Sequence, residues 1–278
     1  MEFTLTLEAE PAQTSGSYRA WSLGKGHRAI DLAWHSVAGH DPKDCKTSER
    51  QDLLPFTEPS IAIRRRFSRA GQTQDWDFVI FRAQPDGGAY DPAGGEELFA
   101  LRLAPEVMER AFGLKAVECV AEDRTVPATL CAHLDPAARL ADEGDFAAAW
   151  AQMHDALRKS AAQTEFDRVG HAVGLARRSR GKLGPAHLAE ASGLSLRHLR
   201  RCFVDRLGLS PRAILRRQRL TRAMLDAERA VRPAWADLAA AHNFSDQAHL
   251  IRECRSLTGR SPVEWHHTRR QMAVSFNN

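Results

Sequence analysis

The chain of 278 residues has two patterns of apolar positions, one typical of strands and one typical of helices. In the N-terminal part, short apolar runs predict strands at Phe3–Leu7, Tyr18–Leu23, Ala29–Trp34, Ile61–Phe67, Trp76–Arg82 and Leu98–Leu103. The Gly/Pro-rich segment Gln84–Gly95 predicts an exposed loop, and helices are predicted at Pro105–Phe112 and Asp145–Ser160. Strands followed by helices indicate a small β-barrel or sandwich with helical extensions, which we assign to residues 1–160.

From residue 161 onward the apolar spacing is helical, and one stretch occurs twice. Ser195–Pro211 is repeated loosely as Asp246–Pro262, at an offset of 51 positions. A short Ala/Leu-rich helix precedes each copy, Pro185–Ser192 in one and Trp235–His242 in the other. The expected fold class is therefore α+β, with a mainly-β N-terminal domain and an all-α C-terminal domain that contains two helix–turn–helix motifs. A duplicated motif of this kind is typical of proteins that contact two adjacent turns of DNA.

The two copies share the residue types that stop and start helices. Gly193 and Asn243 follow the first helices, and these types best tolerate the left-handed conformation of a tight helix stop. Ser195 and Asp246 then occupy N-cap positions, where a short side-chain oxygen accepts from free backbone N–H groups. The residues that end the second helices and start the next ones are Gly208 and Pro211, and Gly259 and Pro262.

Helical spacing divides each second helix into two faces. The apolar stripes consist of Leu196, Leu199, Phe203 and Leu207 in the first copy and Leu250, Cys254 and Leu257 in the second. The opposite arcs carry Arg197, His198, Arg201, Val204 and Asp205, and Ala248, His249, Arg252, Arg255 and Ser256. Arginines one turn apart on such a face suit guanine edges or phosphates, and Gln247 suits adenine. Simple solvation is the alternative for any one arginine, and Asp205 argues against DNA contact because a carboxylate repels phosphates.

Charge separates the two halves of the chain. Residues 160–278 carry 21 Lys and Arg against 10 Asp and Glu, a net charge of +11, and Lys182 is the only lysine among them. Residues 1–159 carry 18 against 25, a net charge of −7, so the chain as a whole reaches only +4. A basic domain around two candidate recognition helices is the electrostatic pattern expected of a DNA-binding protein.

From about Thr164 to His267 the chain resembles the C-terminal DNA-binding domain of the AraC/XylS family of bacterial transcription regulators. The motifs that carry the resemblance are Leu188-Ala189, Gly193-Leu194-Ser195, Leu199-x-x-x-Phe203, Gly208-Leu209-Ser210-Pro211, Phe244-Ser245-Asp246-Gln247, His249-Leu250-x-Arg252 and Gly259-x-Ser261-Pro262. Two positions depart from the family pattern: Cys254 stands where Phe is usual, and Asn243 where Gly is usual. The cysteine should loosen the local core by about 1 kcal/mol or more.

The resemblance implies two helix–turn–helix units joined by a long helix, here about Pro211–Glu228. Together with the polar arcs it gives the expected DNA-contacting residues: Ser195, Arg197, His198, Arg200, Arg201, Gln247, Ala248, His249, Arg252 and Arg255. Arg200 lies at the edge of the apolar stripe, which favours a phosphate over a base. Because the two reading faces differ, we expect an asymmetric DNA site and not a palindrome.

The resemblance also implies that the N-terminal domain binds an effector or mediates dimerisation. Trp21, Trp34, Trp76 and Phe78 are candidates to line a pocket for a small apolar or aromatic effector, with Arg64, Arg65 or Arg66 neutralising an acid group. The alternative is the commoner case, in which the tryptophans are core residues and the three arginines lie on a solvated edge. The Ala-rich helix Phe146–Leu157 suits either dimerisation or docking onto the DNA-binding domain.

Catalytic and metal sites are not expected. Cys45, Cys119, Cys131, Cys202 and Cys254 include no C-x-x-C pair, and the adjacent His266 and His267 lack further ligand spacing. We expect no cofactor and no enzyme activity. With no signal peptide and no apolar run of about 18 residues, we expect a cytoplasmic, nucleoid-associated protein without membrane contact.

The prediction is a sequence-specific transcription regulator with a sensing or dimerisation domain at 1–160, a double helix–turn–helix domain at 161–270 and a tail at 271–278. Its expected partner is double-stranded DNA at a promoter or operator. RNA polymerase, a small-molecule effector and a second copy of the chain are compatible further partners. The alternatives are an architectural DNA-binding protein without an effector and a DNA-repair enzyme that accepts a methyl group on a cysteine. The repair enzyme needs an activated thiolate, and Cys45 has no companion cysteine nearby.

Overall fold

The computed structural model describes residues 13–15, 18–22, 30–38, 51–53, 55, 57–66, 75–81, 88–90, 96–105, 108–109, 113, 115–120, 124–125, 128–162, 167–228 and 230–275. The predicted strand Phe3–Leu7 and the side chains of Trp21 and Trp34 lie outside the described part.

Nine antiparallel strands lie in the described N-terminal region. They are Gln13–Ser15 (β1), Tyr18–Ser22 (β2), Ile30–Ala38 (β3), Gln51–Leu53 (β4), Ser60–Arg66 (β5), Asp77–Phe81 (β6), Gly88–Tyr90 (β7), Glu96–Leu103 (β8) and Arg124–Thr125 (β9). One sheet has the order β1-β2-β3-β8-β5-β6-β9, and β4 pairs with β7 in a second, two-stranded sheet. β8 therefore lies between β3 and β5, which join it from distant parts of the chain.

Two helices cover one face of the large sheet, Ala128–Asp142 (α1) and Phe146–Ala162 (α2). Alternate residues of the strands, such as Ile61 and Ile63, point to this face and pack against Leu134 of α1. Trp150 of α2 stacks on Phe99 of β8 with ring centroids 4.6 Å apart. Both rings are buried, so this contact joins the helical layer to the centre of the sheet.

The remaining described chain is helical. Its helices are Arg168–Arg178 (α3), Pro185–Ala191 (α4), Leu196–Leu207 (α5), Pro211–Glu228 (α6), Trp235–Ala241 (α7), Gln247–Thr258 (α8) and Pro262–Ser275 (α9). A 3-10 turn at Ala116–Val120 connects the two regions in space, because it lies against α5. The α+β fold class, with a mainly-β N-terminal region and two helix–turn–helix motifs, is confirmed.

The long helix α6 takes part in two separate hydrophobic cores. Its N-terminal half contributes Ile214 to a core that includes Leu199 and Phe203 of α5. Its C-terminal half contributes Met224 to a core with Leu250 of α8. Each helix–turn–helix unit thus has its own core, and burying a side chain the size of Phe203 stabilises such a core by about 1.5–3 kcal/mol.

Most of the predicted elements are found, and the differences have local causes. β3 extends four residues beyond the predicted strand, to Ala38. The predicted loop at 84–95 contains β7, which pairs with β4 through only three residues. Of the helix predicted at 105–112, the described positions 105, 108 and 109 are helical. We did not predict α1, whose pattern is interrupted by Pro136, or α3, which has two glycines in its interior.

Candidate nucleic-acid interface

The turns of the two units have the geometry that the sequence predicts. Gly193 and Asn243 adopt left-handed conformations with φ of 62° and 56°. The Ser195 side chain accepts from the backbone N–H of His198 at 3.2 Å, and Asp246 accepts from that of His249 at 2.6 Å. The second of these hydrogen bonds holds the pKa of the Asp246 carboxyl below its ordinary value. Both second helices therefore begin at the predicted caps.

The first recognition helix, α5, presents an exposed arginine face. Arg197, Arg200 and Arg201 are exposed, whereas Leu199 and Phe203 are fully buried on the other side. Our assignment of Leu196 to the buried stripe is wrong. Its side chain is 52% exposed because it stands in the first turn, where the helix has not yet passed over the core.

His198 lies at the border of this face and contacts its own helix. Its Nδ1 is 3.1 Å from Nη2 of Arg201, and its Nε2 is 3.5 Å from Sγ of Cys202. A guanidinium only donates, so Nδ1 is the acceptor and Nε2 carries the proton of the neutral ring. His198 therefore orients the Arg201 guanidinium from the side.

The second recognition helix, α8, exposes Gln247, Ala248, Arg252 and Arg255, while Leu250 and Cys254 are buried. Burial raises the pKa of the Cys254 thiol to about 11, as expected of a core residue.

His249 differs from its neighbours on α8 because its ring is part of the turn. Its Nδ1 accepts the backbone N–H of Ser245 at 3.2 Å. The ring also meets Phe244 edge-on, with centroids 5.4 Å apart. These contacts engage Nδ1 and one edge of the ring, and Nε2 lies 3.8 Å from Oε1 of Glu253, so the geometry favours a structural role for His249.

Two arginines of α6 hold the second unit, and no local sequence pattern predicted these contacts. The Arg219 guanidinium lies 5.6 Å from the centroid of Phe244 and donates to the carbonyl oxygen of Asn243 at 3.1 Å. Arg216 forms an ion pair with Glu253 and donates to Oγ of Ser256 at 2.8 Å. The reading face of α8 is thus supported from the linker helix.

The first unit is held by the N-terminal region. Arg206, at the end of α5, forms an ion pair with Glu109 of the N-terminal region at 3.3 Å and another with Asp167, the N-cap of the neighbouring helix α3. The helix then ends at Gly208 in a left-handed conformation, and a Cβ built there would lie 3.1 Å from Cγ2 of Val117 in the 3-10 turn.

A buried polar contact joins α6 to the segment before β5. Nε2 of Gln218 donates to Oγ1 of Thr57 at 2.9 Å and to the Glu58 carboxylate. Three residues further on, the Thr221 hydroxyl donates to the carbonyl oxygen of Pro55 at 3.4 Å. All five residues are buried, and the buried Glu58 carboxylate depends on such donors because it is removed from water.

The candidate effector residues do not share one surface. Arg64 is buried and donates to Asp77 through two nitrogens, at 3.2 and 2.9 Å. Phe78 belongs to the core on the opposite face of the sheet from Arg64, since side chains alternate along β5 and β6. Arg66 is exposed at the end of β5. Trp76 lies 4.5 Å from the guanidinium of Arg65 and donates to Asp142. The described residues therefore favour structural roles for Arg64 and Phe78.

Within the described residues there is no cluster of His, Cys, Asp or Glu side chains that could hold a metal ion. None of the described helices is long and apolar enough to cross a membrane. Cys45, the residue relevant to the repair-enzyme alternative, lies outside the described part.

Comparison with protein families matches residues 188–268 to a helix-turn-helix domain. Among solved structures, a transcriptional regulator with an AraC-type DNA-binding domain from Chromobacterium violaceum is 26% identical to this chain, with a TM-score of 0.35. The match covers 37% of this chain and 93% of the regulator's chain. ToxT from Vibrio cholerae O395 is 7% identical to this chain, with a TM-score of 0.43. The match covers 91% of this chain and 98% of the ToxT chain. A comparison with curated proteins finds no match.

Proposed function

We propose that this protein, whose residues 188–268 form an AraC-type helix–turn–helix DNA-binding domain, is a sequence-specific transcription regulator that inserts α5 and α8 into successive major grooves of one duplex. The observation that carries the proposal is the pair of capped helices with exposed arginine faces, each on its own core and both attached to α6.

The length of α6 supports simultaneous insertion. Its 18 residues span about 27 Å at 1.5 Å per residue. Successive major grooves on one side of a duplex are about 34 Å apart, so a linker of this size, with recognition helices beyond its ends, is suitable. One chain then covers about two turns of DNA. The net charge of +11 in residues 160–278 supplies the phosphate attraction.

The two faces are chemically different, which supports an asymmetric site. Arg197 of α5 corresponds to Ala248 of α8 at the offset of 51 positions, whereas Arg201 and Arg252 match. We assign Arg201 and Arg252 to guanine edges and Gln247 to an adenine, because these pairings are bidentate in the major groove. Arg200, at the margin of its face, is assigned to a phosphate.

The contacts of the N-terminal region with the first unit support regulation through that region. A small molecule or partner that changes the position of Glu109 or Glu58 changes the support of α5 or α6. Such an effector alters DNA affinity only if it binds the two arrangements unequally. An operator affinity that no ligand or partner changes is the result expected of the alternative, an architectural DNA-binding protein.

The test starts with mapping of the DNA sites bound by the full chain in cells, followed by titration of the best site in vitro. Arg201→Ala and Arg252→Ala should each weaken specific binding by about 1–3 kcal/mol and relax discrimination at one base pair. Arg139→Ala removes one exposed positive charge from α1 and serves as the matched control. Unchanged binding in both recognition-helix variants would refute the docking model.

A further inference from the structure

An exposed apolar side chain lies inside the arginine face of α5. Val204 is 45% exposed, and the other large apolar side chains exposed to this degree among the described residues, Leu196, Val231 and Val263, lie outside that face. At about 100° per residue, Val204 projects within about 20° of Arg197 and about 60° of Arg201. It therefore points where those arginines point.

The second unit has the same two side-chain types in exchanged positions. At the offset of 51, Val204 corresponds to Arg255, and Arg197 corresponds to the exposed Ala248. The two positions are seven residues apart, which is about 10 Å along a helix and comparable to three base-pair steps. In α5 the cation precedes the apolar residue, and in α8 the apolar residue precedes the cation.

The residues around Val204 determine which kind of molecule can bind this face of α5. Three exposed arginines, Arg197, Arg200 and Arg201, outnumber the exposed Asp205 carboxylate on this side of α5, so a second copy of this face is repelled and a polyanion is attracted. The N-terminal region leaves the Val204 side chain exposed although it holds the same C-terminal turn of α5 through Arg206, two residues further on. In a major groove the apolar group available to such a side chain is the C5 methyl of a pyrimidine.

We infer that Val204 and Ala248 each contact a pyrimidine C5 methyl, so that the methyl-bearing base lies at opposite ends of the stretches read by α5 and α8. This inference rests on the proposed function, because it requires both helices to lie in major grooves. It adds specificity-determining residues that form no hydrogen bond with a base. Arg201 and Arg252 occupy equivalent positions, so both faces carry a positive charge there.

The experiment uses the full chain and its mapped site, with each thymine replaced in turn by deoxyuridine, which keeps the base pair and lacks only the methyl. We expect a loss of about fourfold at one position in each half-site, the value of one buried methyl group. With Val204→Ala the penalty in the α5 half-site should fall by at least half, whereas Val263→Ala, another exposed valine, should keep it. Ala248→Ser should act in the same way on the other half-site.

The outcomes separate the inference from the function on which it rests. The sensitive thymine is also replaced, with guanine opposite, by cytosine and by 5-methylcytosine. The site with 5-methylcytosine should bind more tightly than the site with cytosine, because it keeps the C5 methyl. If specific binding depends on Arg201 but its affinity is unchanged by every deoxyuridine substitution, the inference is overturned and the proposed function is retained. Absence of specific binding in the unmodified chain overturns both. A deoxyuridine penalty that Val204→Ala does not change also overturns the assignment to Val204.

Discussion

Substitution of His249 distinguishes a structural residue from a base-reading one on the same helix. His249→Ala removes the acceptor of the Ser245 backbone N–H, worth about 1 kcal/mol, and the edge contact with Phe244, worth about 0.5–1 kcal/mol. Alanine recovers about 0.5 kcal/mol through its higher helix propensity. The unfolding free energy should fall by about 1–1.5 kcal/mol, which lowers Tm by about 2–12 °C, depending on the size of the unit that unfolds cooperatively.

The measurement has two parts. Thermal unfolding followed by circular dichroism gives Tm for His249→Ala, for Arg252→Ala and for His267→Ala, which removes an exposed histidine of α9 as a control. Competition binding with single base-pair variants then gives the discrimination of each protein well below its Tm. We expect His249→Ala to lose stability and keep discrimination, and Arg252→Ala to do the reverse. A His249→Ala variant with unchanged Tm and relaxed discrimination at one base pair would refute the structural assignment.

Two further predictions concern stability. Gly208→Ala and Gly259→Ala should each cost about 1 kcal/mol from left-handed strain, because φ is 71° and 74°. Gly208→Ala should cost more, since its Cβ meets Val117 whereas that of Gly259 meets nothing within 4 Å; an equal cost, measured by urea unfolding, would contradict the Val117 contact. Burial lowers the pKa of His242 below 6.5, so the unfolded chain takes up the proton first and stability should fall as the pH drops below about 6.5. In His242→Gln, that part of the pH dependence of urea unfolding should disappear; an unchanged pH profile would contradict it.

The sequence was sufficient for those parts of the fold that local chemistry determines. The caps at Ser195 and Asp246 and the left-handed stops at Gly193 and Asn243 depend on residues within one turn, and all four are found. The central strands could be recognised from their apolar runs. Their order could not, because β8 pairs with two strands that are distant in sequence and no local pattern encodes that choice.

The sequence predicted which sides of the two helices are exposed, but it did not predict every contact that individual side chains make. Helical spacing placed Arg201 and Arg252 on exposed arcs, where they lie in the structure. The same spacing placed His249 on the arc, yet a side chain at the start of a helix can turn back to its own cap, as this one does. Arg219 supports that turn from 24 residues away, a relation that only the tertiary structure reveals.

The attachments of the N-terminal region and of the second unit meet on one turn of α6. Gln218 is tied to Thr57 and Glu58 of the N-terminal region. Its neighbours in the same turn, Arg216 and Arg219, hold α8 and the turn before it. A displacement of the segment before β5 therefore acts on the residues that support the second recognition helix, although the N-terminal region holds α5 of the first unit through separate contacts. Because packed helices move as rigid elements, this turn connects the N-terminal region to the residues that support α8, the helix that the proposed function places in the second major groove.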